Sequence, residues 1–523
     1  MKNKNKIKIF FRRHWYLFFL VVFLWATRLP VIMDGVIPFG FDHGKDSLAI
    51  IHMWLAKELK FVGPWTSIPG LYFGPAWYYL LLLFYVVGKG NPVIPILALV
   101  MLHSMFLVLA YKYFGKLAAT IFCLGATWFT ITQSAWNPFP MPLISLLIII
   151  VLLETQKRKK ISNLQALLLG IFSALGFHFS TAYAIFYPVI VALTILLKKI
   201  KFNIKNFFVY CVGFILPLIP QILFELKNNF IQTKGVLKYI TEGESQVLDW
   251  QKVLSVVTGT FKELQIGFLP EIWLPNQNLT NLINVILKIF VLLLLIWGVY
   301  LLKRKQKKEL FLNLVLDFVI WIVMPMIAFI FLHFNFWYLL GMMPMAVILV
   351  VRLLNQTPKK IRLVFVSIFF LTCLSKIFFY YTEDRTRLEN KRAFLPVKME
   401  TIAYIRKKAG DKPFAVYHYV PDIYDFSYQY LYFQQAWQGQ KLPVDFSYQP
   451  NVVPYIGEKP DLLKVFKEKN LADERQPELV FYVVEKPEVQ AYLDEWWQQQ
   501  NYQEIVNEKK ISEEVTVYEG RIE

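Results

Sequence analysis

The sequence predicts an all-α polytopic membrane protein of about 11 transmembrane helices, with a small extracytoplasmic α/β domain at its C-terminal end. Three observations predict it. Hydrophobic residues fill 56% of the 523 positions and charged residues only 18%, whereas soluble chains carry about 25% charge. Apolar runs near span length recur along the first three quarters of the chain, a span needing about 20 residues. The charge is also divided: residues 1–381 carry 37 Lys and Arg against 13 Asp and Glu, and residues 382–523 carry 19 against 24. Disorder is excluded, because Phe, Trp and Tyr make up 17% of the chain.

The first apolar run begins at Tyr16 behind Lys2, Lys4, Lys6, Lys8, Arg12 and Arg13. No small-x-small cleavage pattern follows it, so it reads as a retained signal anchor. The runs are 15–33, 92–111, 117–135, 139–153, 162–178, 181–197, 207–224, 282–302, 310–332, 336–354 and 361–380. With the N-terminus inside and the runs alternating, 25 of the 37 basic residues fall in inner segments. This is the positive-inside bias. Ten of the 13 acids fall in two outer loops, 34–91 and 225–281. Bases clustered in short segments between apolar runs also argue against a nucleic-acid binder.

Residues 72–88 are apolar but short. Letting them cross would turn 19 Lys and Arg outward, so they read as lying on, or dipping into, the outer leaflet. Just before them Leu48, Ile51, Leu55 and Leu59 recur at helical spacing among Lys57, Glu58 and Lys60, which predicts an interfacial amphipathic helix. Cys123, Cys211 and Cys373 sit inside apolar runs and suggest neither zinc nor a disulfide framework. Beyond Tyr381 the sequence turns soluble. A helix near 398–408, strands at 413–419 and 478–484, and an aromatic helix ending at Trp496 and Trp497 predict the α/β domain.

Candidate chemistry concentrates at outer ends of spans. FGFDHGKD (39–46) places Asp42 and Asp46 four apart, flanked by His43 and Lys45. A solvated turn at Gly40 and Gly44 would explain it; so would a carboxylate serving as general base, metal ligand or sugar-hydroxyl acceptor. Asp46 also stands where it could cap the helix that follows. IPGLYFGPAWYYLLLLF (68–84) comes next, with Tyr72, Trp77, Tyr78 and Tyr79 available to stack on a sugar or line a lipid groove. Further outer motifs are SAWNPFPMPL (134–143) with Asn137, GFHFSTAY (176–183) with His178, ILFELKNNF (222–230) with Glu225 and Lys227, and HFNFWYLLGMMP (333–344) with His333 and Tyr338. His178 and His333 suit either a phosphate or sugar contact or a polar helix end. Arg28 suits a lipid phosphate or interfacial snorkelling, and His103 and Asp317 suit contacts between helices.

Taken together, FDHGKD, the amphipathic stretch and PGLYFGPAWYYLL resemble the first outer loop of the GT-C membrane glycosyltransferases. The likeness is to the bacterial branch related to protein O-mannosyltransferases and the aminoarabinose transferase (glycosyltransferase family 39-like), and it covers roughly residues 10–380. In that superfamily an acid after the first span is the catalytic base, and Asp42 occupies the position of the first acid of the family's pair. The second is replaced here by His43, and the Lys-Pro-Pro-type motif reads Phe73-Gly74-Pro75.

The change of character after Tyr381 divides the chain into a membrane domain over 1–381, with outer loops 34–91 and 225–281, and an extracytoplasmic α/β domain over 382–523. The resemblance implies an inverting transfer of a hexosyl or pentosyl unit from a polyprenyl-phosphate donor to a lipid, glycan or protein acceptor on the outer face of the plasma membrane. Asp42 and Asp46 are the expected catalytic residues. Arg28, His43, Lys45, Tyr72, Tyr78, Asn137, His178, Glu225, His333 and Tyr338 are expected to bind substrate. No cofactor is named, and a divalent metal stays open. A lipid-linked donor suits a chain with no Gly-rich nucleotide fingerprint. The alternative is a transporter or lipid flippase, which calls for ionisable residues near mid-membrane and two related halves; a scaffold acting through its outer tail is the third reading.

Overall fold

The computed structural model describes residues 2–242, 249–422, 424–472, 475–500 and 504–521, and of residues 2–13, 240 and 242 only the backbone. The side chains of the six N-terminal cations therefore lie outside the described part. The chain is a multi-span helical membrane protein with a small α/β domain. Among the described residues, six helices are long and apolar enough to cross a membrane.

The apolar runs become helices, with three of them, 162–178, 181–197 and 336–354, giving helices of only 13, 12 and 12 residues. α1 (Lys2–Met33) is followed by a segment carrying α2 (Phe41–Leu55) and α3 (Ala76–Val87). α3 has 12 residues, about 18 Å of helix, too short for a hydrocarbon core of about 30 Å. α4 (Ile96–Leu124) is two helices joined at Gly115, whose φ of +85° breaks the spiral. Only glycine adopts that φ freely, so the chain reverses between Lys112 and Lys116. His103 Nε2 then meets the carbonyl of Phe122 at 2.7 Å across the hairpin.

α5 (Ala126–Thr130), α6 (Met141–Arg158), α7 (Asn163–Leu175), α8 (Thr181–Ala184), α9 (Phe186–Leu197) and α10 (Ile204–Lys227) complete the first bundle. Capping boxes at Ser162/Gln165 and Asn203/Asn206 start α7 and α10, satisfying amide hydrogens that the first turn leaves free. α11 (Ile231–Glu242) and α12 (Trp250–Phe268) lie between α10 and the next long apolar helix. α13 (Gln277–Arg304), α14 (Lys308–Phe318), α15 (Met324–Phe331), α16 (Met343–Leu354) and α17 (Lys359–Phe379) follow, α14 running into α15 through a π-turn at Val319–Val323. Asp317 is buried between Lys198 and Arg352, the latter at 2.8 Å, so this acid ties α9, α14 and α16 together.

After α18 (Arg385–Glu389) and α19 (Leu395–Ala409) come β1 (Phe414–Tyr419), α20 (Phe426–Trp437), β2 (Asp445–Ser447), α21 (Lys459–Glu468), β3 (Leu479–Glu485), α22 (Gln490–Gln498), β4 (Glu504–Lys510) and β5 (Val515–Arg521). The strands form one sheet in the order β2-β1-β3-β5-β4. β1 is parallel to β2 and β3, and β5 is antiparallel to β3 and β4.

Two expectations change. Asp46 does not cap a helix: α2 starts at Phe41 with Gly40 at its N-cap, and Asp46 lies in the second turn. The segment 37–40, in which Phe39 N–H donates to the Ala393 carbonyl (2.8 Å) and the Ile37 carbonyl accepts from Leu395 N–H (2.9 Å), sets that earlier start. Nor does α2 lie freely on a membrane surface. It is wedged between α3 and α20, with Leu48, Ile50 and Ile51 fully buried. Gly44 makes this possible, since a Cβ there would stand 2.4 Å from the backbone nitrogen of Ser427. An interior glycine costs a helix about 1 kcal/mol; here it brings α20 against α2.

Candidate active site

A cavity of about 630 Å³ opens where the segment carrying α2 and α3, the C-terminal end of α10 and the sheet domain meet. Residues 63–74 shape one wall. Backbone bonds Gly63 N–Phe73 O (2.8 Å), Phe73 N–Pro64 O (2.8 Å) and Thr66 N–Leu71 O (2.9 Å) fold them into a hairpin, which sets Trp65 and Tyr72 on the cavity. Lys45, Tyr78 and Lys60 line it from α2, α3 and the segment between them, and Leu223, Phe224 and Lys227 from α10. Phe426, Tyr455 and Glu458 close it from the sheet domain. Leu223 is half exposed on the outside of α10, so the cavity borders the surface that a lipid chain would occupy.

Its electrostatics centre on lysines. Lys45 Nζ lies 3.0 Å from Asp42 Oδ1 and about 5 Å above the rings of Phe41 and Trp65 (5.3 and 5.2 Å), a cation held by aromatic faces. Lys60 faces Glu458 at 3.4 Å. Among the described residues Lys227 has no ion-pair partner. Asp42, in the first turn of α2, is 47% exposed and favoured there by the helix dipole.

Asp46 sits one turn further in, sealed from water. It accepts the indole N–H of Trp77 at 2.9 Å. Burial pushes its carboxyl up to about 7, with Lys45, the Trp77 N–H and the Tyr78 hydroxyl pulling back and Asp42 adding to the rise. His43 is driven the other way: burial lowers it to about 4, against the pull of Asp42, so its ring is neutral at pH 7.

Of the residues that the motifs single out, the fold brings Lys45, Tyr72 and Tyr78 to the cavity and Asp42 and Asp46 behind Lys45 and Tyr78. The others stand in supporting positions. His178 is buried, its Nδ1 accepting Ala76 N–H at 3.2 Å and its Nε2 facing the Pro217 carbonyl at 3.1 Å. It pins the start of α3 to α10, and Gly74 leaves room for it: a Cβ there would fall 2.1 Å from the ring. Glu225 caps α11 by accepting Gln232 N–H (2.8 Å) and Thr233 N–H (3.0 Å), and Gln232 in turn accepts Tyr72 N–H at 3.1 Å.

Asn137 donates to the Phe179 carbonyl at 2.7 Å. Arg28 is fully buried, its guanidinium bound to Thr27 Oγ1 (2.8 Å) and the Cys123 carbonyl (2.6 Å) and stacked 4.3 Å above Phe129. His333 and Tyr338 both contact Asn335, at 3.0 and 3.3 Å, beside α12. The motifs named Lys60 and Lys227 without giving them a substrate role, and left out Trp65, Phe426, Tyr455 and Glu458. Tyr455 and Glu458 had no signal, being 400 or more positions from α2.

For a metal, His52, Glu58 and Asp461 cluster at the rim with ligand atoms within 4.8 Å of one another. His52 Nε2 bonds Asp461 at 3.0 Å and so links α2 to α21, while Nδ1 lies 3.5 Å from Glu58 and makes no hydrogen bond. The group has the donor types a divalent cation takes, one imidazole nitrogen and two carboxylates.

No protein-family model matches the chain, and no curated protein matches it. Solved structures do. ArnT from Cupriavidus metallidurans bound to undecaprenyl phosphate is similar with a TM-score of 0.54 at 11% identity, over 95% of this chain and 97% of that one. The same protein in its apo state gives 0.55 at the same identity and coverage. The fold is that of ArnT. It carries both the membrane bundle and the α/β domain, since the match runs over nearly the whole of each chain.

Proposed function

We propose that this chain is a membrane glycosyltransferase that moves a sugar from a polyprenyl-phosphate donor to an acceptor on the outer face. The observation that carries the reading is the lysine- and aromatic-lined cavity at the lipid-facing end of α10. The ArnT fold, solved elsewhere with undecaprenyl phosphate, supports it. In this reading the polyprenyl chain lies along α10 by Leu223 and Phe224, and Lys45, Lys60 and Lys227 hold the phosphate through charge-assisted hydrogen bonds. The sugar rests against Trp65, Tyr72 and Tyr78.

Asp42 takes the proton of the acceptor hydroxyl as its oxygen attacks the anomeric carbon. The bond from that carbon to the phosphate oxygen breaks, and the lysines stabilise the charge that gathers on the departing lipid phosphate. One displacement inverts the anomeric centre. Asp42 suits the base role because it is half exposed and reachable from outside, whereas Asp46 is sealed behind Trp77. The cytoplasmic placement of the N-terminus belongs to the same proposal and rests on the distribution of Lys and Arg.

The test is transfer or hydrolysis from purified polyprenyl-phosphate sugars by the detergent-solubilised protein. Turnover that disappears in Asp42→Asn, with folding intact, is the expected result. Absence of turnover and of lipid-phosphate binding across a donor panel would overturn the proposal.

A further inference from the structure

The sheet domain has a cleft of its own, separate from the membrane cavity. β1 connects to β2 on one side and the chain returns to β3 on the other, so the order reverses beside β1. In open α/β sheets ligands settle outside the carboxyl ends of strands at such a point. A crevice of about 220 Å³ lies there, bounded by the chain after β1, by Tyr448 after β2 and by one face of α22. This is below the range of drug-sized sites and suits a single small ring.

Its polar centre is His418, 1% exposed, whose Nδ1 lies 2.8 Å from Asp425 Oδ2 and 3.2 Å from the Ser447 carbonyl. Both neighbours only accept, so Nδ1 donates, and Nε2 is the ring atom left for a further hydrogen bond. Among the described residues nothing donates to Nε2. Such a buried orphan is unfavourable, and a bound polar group would satisfy it. The pair is not a catalytic dyad, because the nearby Ser447 hydroxyl is spent on the Gln449 carbonyl at 2.6 Å. Asp422 and Glu495 add acceptors, Tyr492 and Trp496 add flat apolar faces, and among the described lining residues there is no Lys or Arg.

We propose that this crevice binds a neutral saccharide ring. Aromatic faces cover the ring's C–H surface, carboxylates accept from its hydroxyls, and the free imidazole nitrogen takes one further hydrogen bond. Phosphorylated or carboxylated ligands would meet the like charge of Asp422 and Glu495 in the lining. The crevice shares a wall with the membrane cavity, since Tyr455 lines the cavity and donates its hydroxyl to Asp425. On the glycosyltransferase reading, the sugar held here belongs to the acceptor; the binding itself does not depend on that reading.

The experiment is saturation-transfer NMR and calorimetry on the full-length protein in detergent. The probes are glucose, mannose, N-acetylglucosamine and maltose, with glucosamine and glucuronate as charged comparisons. Tyr492 and Glu495 are exposed, so Tyr492→Ala and Glu495→Gln leave the fold intact. Each is expected to weaken binding of a neutral sugar about tenfold, from the loss of one stacking face or one charged acceptor. Absence of binding by every neutral probe, binding confined to glucosamine or glucuronate, or affinities unmoved by both variants would overturn the proposal.

Discussion

Trp77 donates its indole N–H to Asp46 across 2.9 Å, joining α2 to α3 through a carboxyl that water does not reach. The bond explains how an acid is tolerated in the core that α2 and α3 form. It also makes that core sensitive to pH.

The carboxyl of Asp46 titrates near 7 in the folded protein and near 3.9 in an unfolded chain. Between those values the folded state binds more protons, so the contribution to stability is complete below about pH 4 and is lost as pH rises through about 7. The difference is on the order of 4 kcal/mol. Asp46→Asn keeps an acceptor for Trp77 and removes the titration. Its apparent melting temperature relative to the parent should therefore climb between pH 5 and pH 8. Parallel curves would show that Asp46 is ionised when folded.

Asp42→Asn should cut turnover by roughly 10²–10⁴-fold, the usual range for a general base, with binding of the lipid-linked donor retained. Asp46→Asn should cost less, because its structural bond survives. Steady-state kinetics on both variants at pH 7 separate the two, and the reverse order would move the base role to Asp46.

Lys227→Met and Lys60→Met should each raise the KM for the lipid-linked donor by roughly tenfold or more, the worth of one charged hydrogen bond. The lysines act on a phosphate, so polyprenyl phosphate without a sugar should lose affinity in parallel. Titration of that lipid into the solubilised variants checks this. Unchanged affinity in both would take the phosphate out of the cavity.

Gly44→Ala would ordinarily strengthen a helix by about 1 kcal/mol. Here the added Cβ would meet the backbone of Phe426 and Ser427 within 2.6 Å, and backbone cannot move aside as a side chain can. The net effect should be a loss of roughly 1–3 kcal/mol together with loosened docking of α20 on α2. Faster proteolysis between α18 and α19, at 390–394, is the expected readout.

Reporter fusions after Lys160 and after Lys205 should score cytoplasmic and one after Arg385 external, given the 25 basic residues on the predicted inner side. A cytoplasmic score after Arg385 would mean that one apolar run crosses differently, with 72–88 the first suspect.

The sequence by itself determined the helical membrane class, the places of the apolar helices and the α/β character of the end of the chain. Those properties follow from local pattern: apolar length, the sidedness of Lys and Arg, and alternation in 413–419 and 478–484 are all written over a few neighbouring residues. FDHGKD and YFGPAWYY also mark their segment from sequence alone. Tertiary structure decided which of the marked residues meet. Asp42 and Asp46 stand four apart on one helix, yet one is half exposed and the other sealed, because α3 and α20 cover only one side of α2. His178 and Glu225 stand near helix ends, where their hydrogen bonds hold α3 and α11 in place. The far wall of the cavity, Phe426, Tyr455 and Glu458, had no local signature. Its position depends on a glycine in α2 letting a helix hundreds of residues away come within backbone contact, and long-range packing of that kind leaves no periodicity to read.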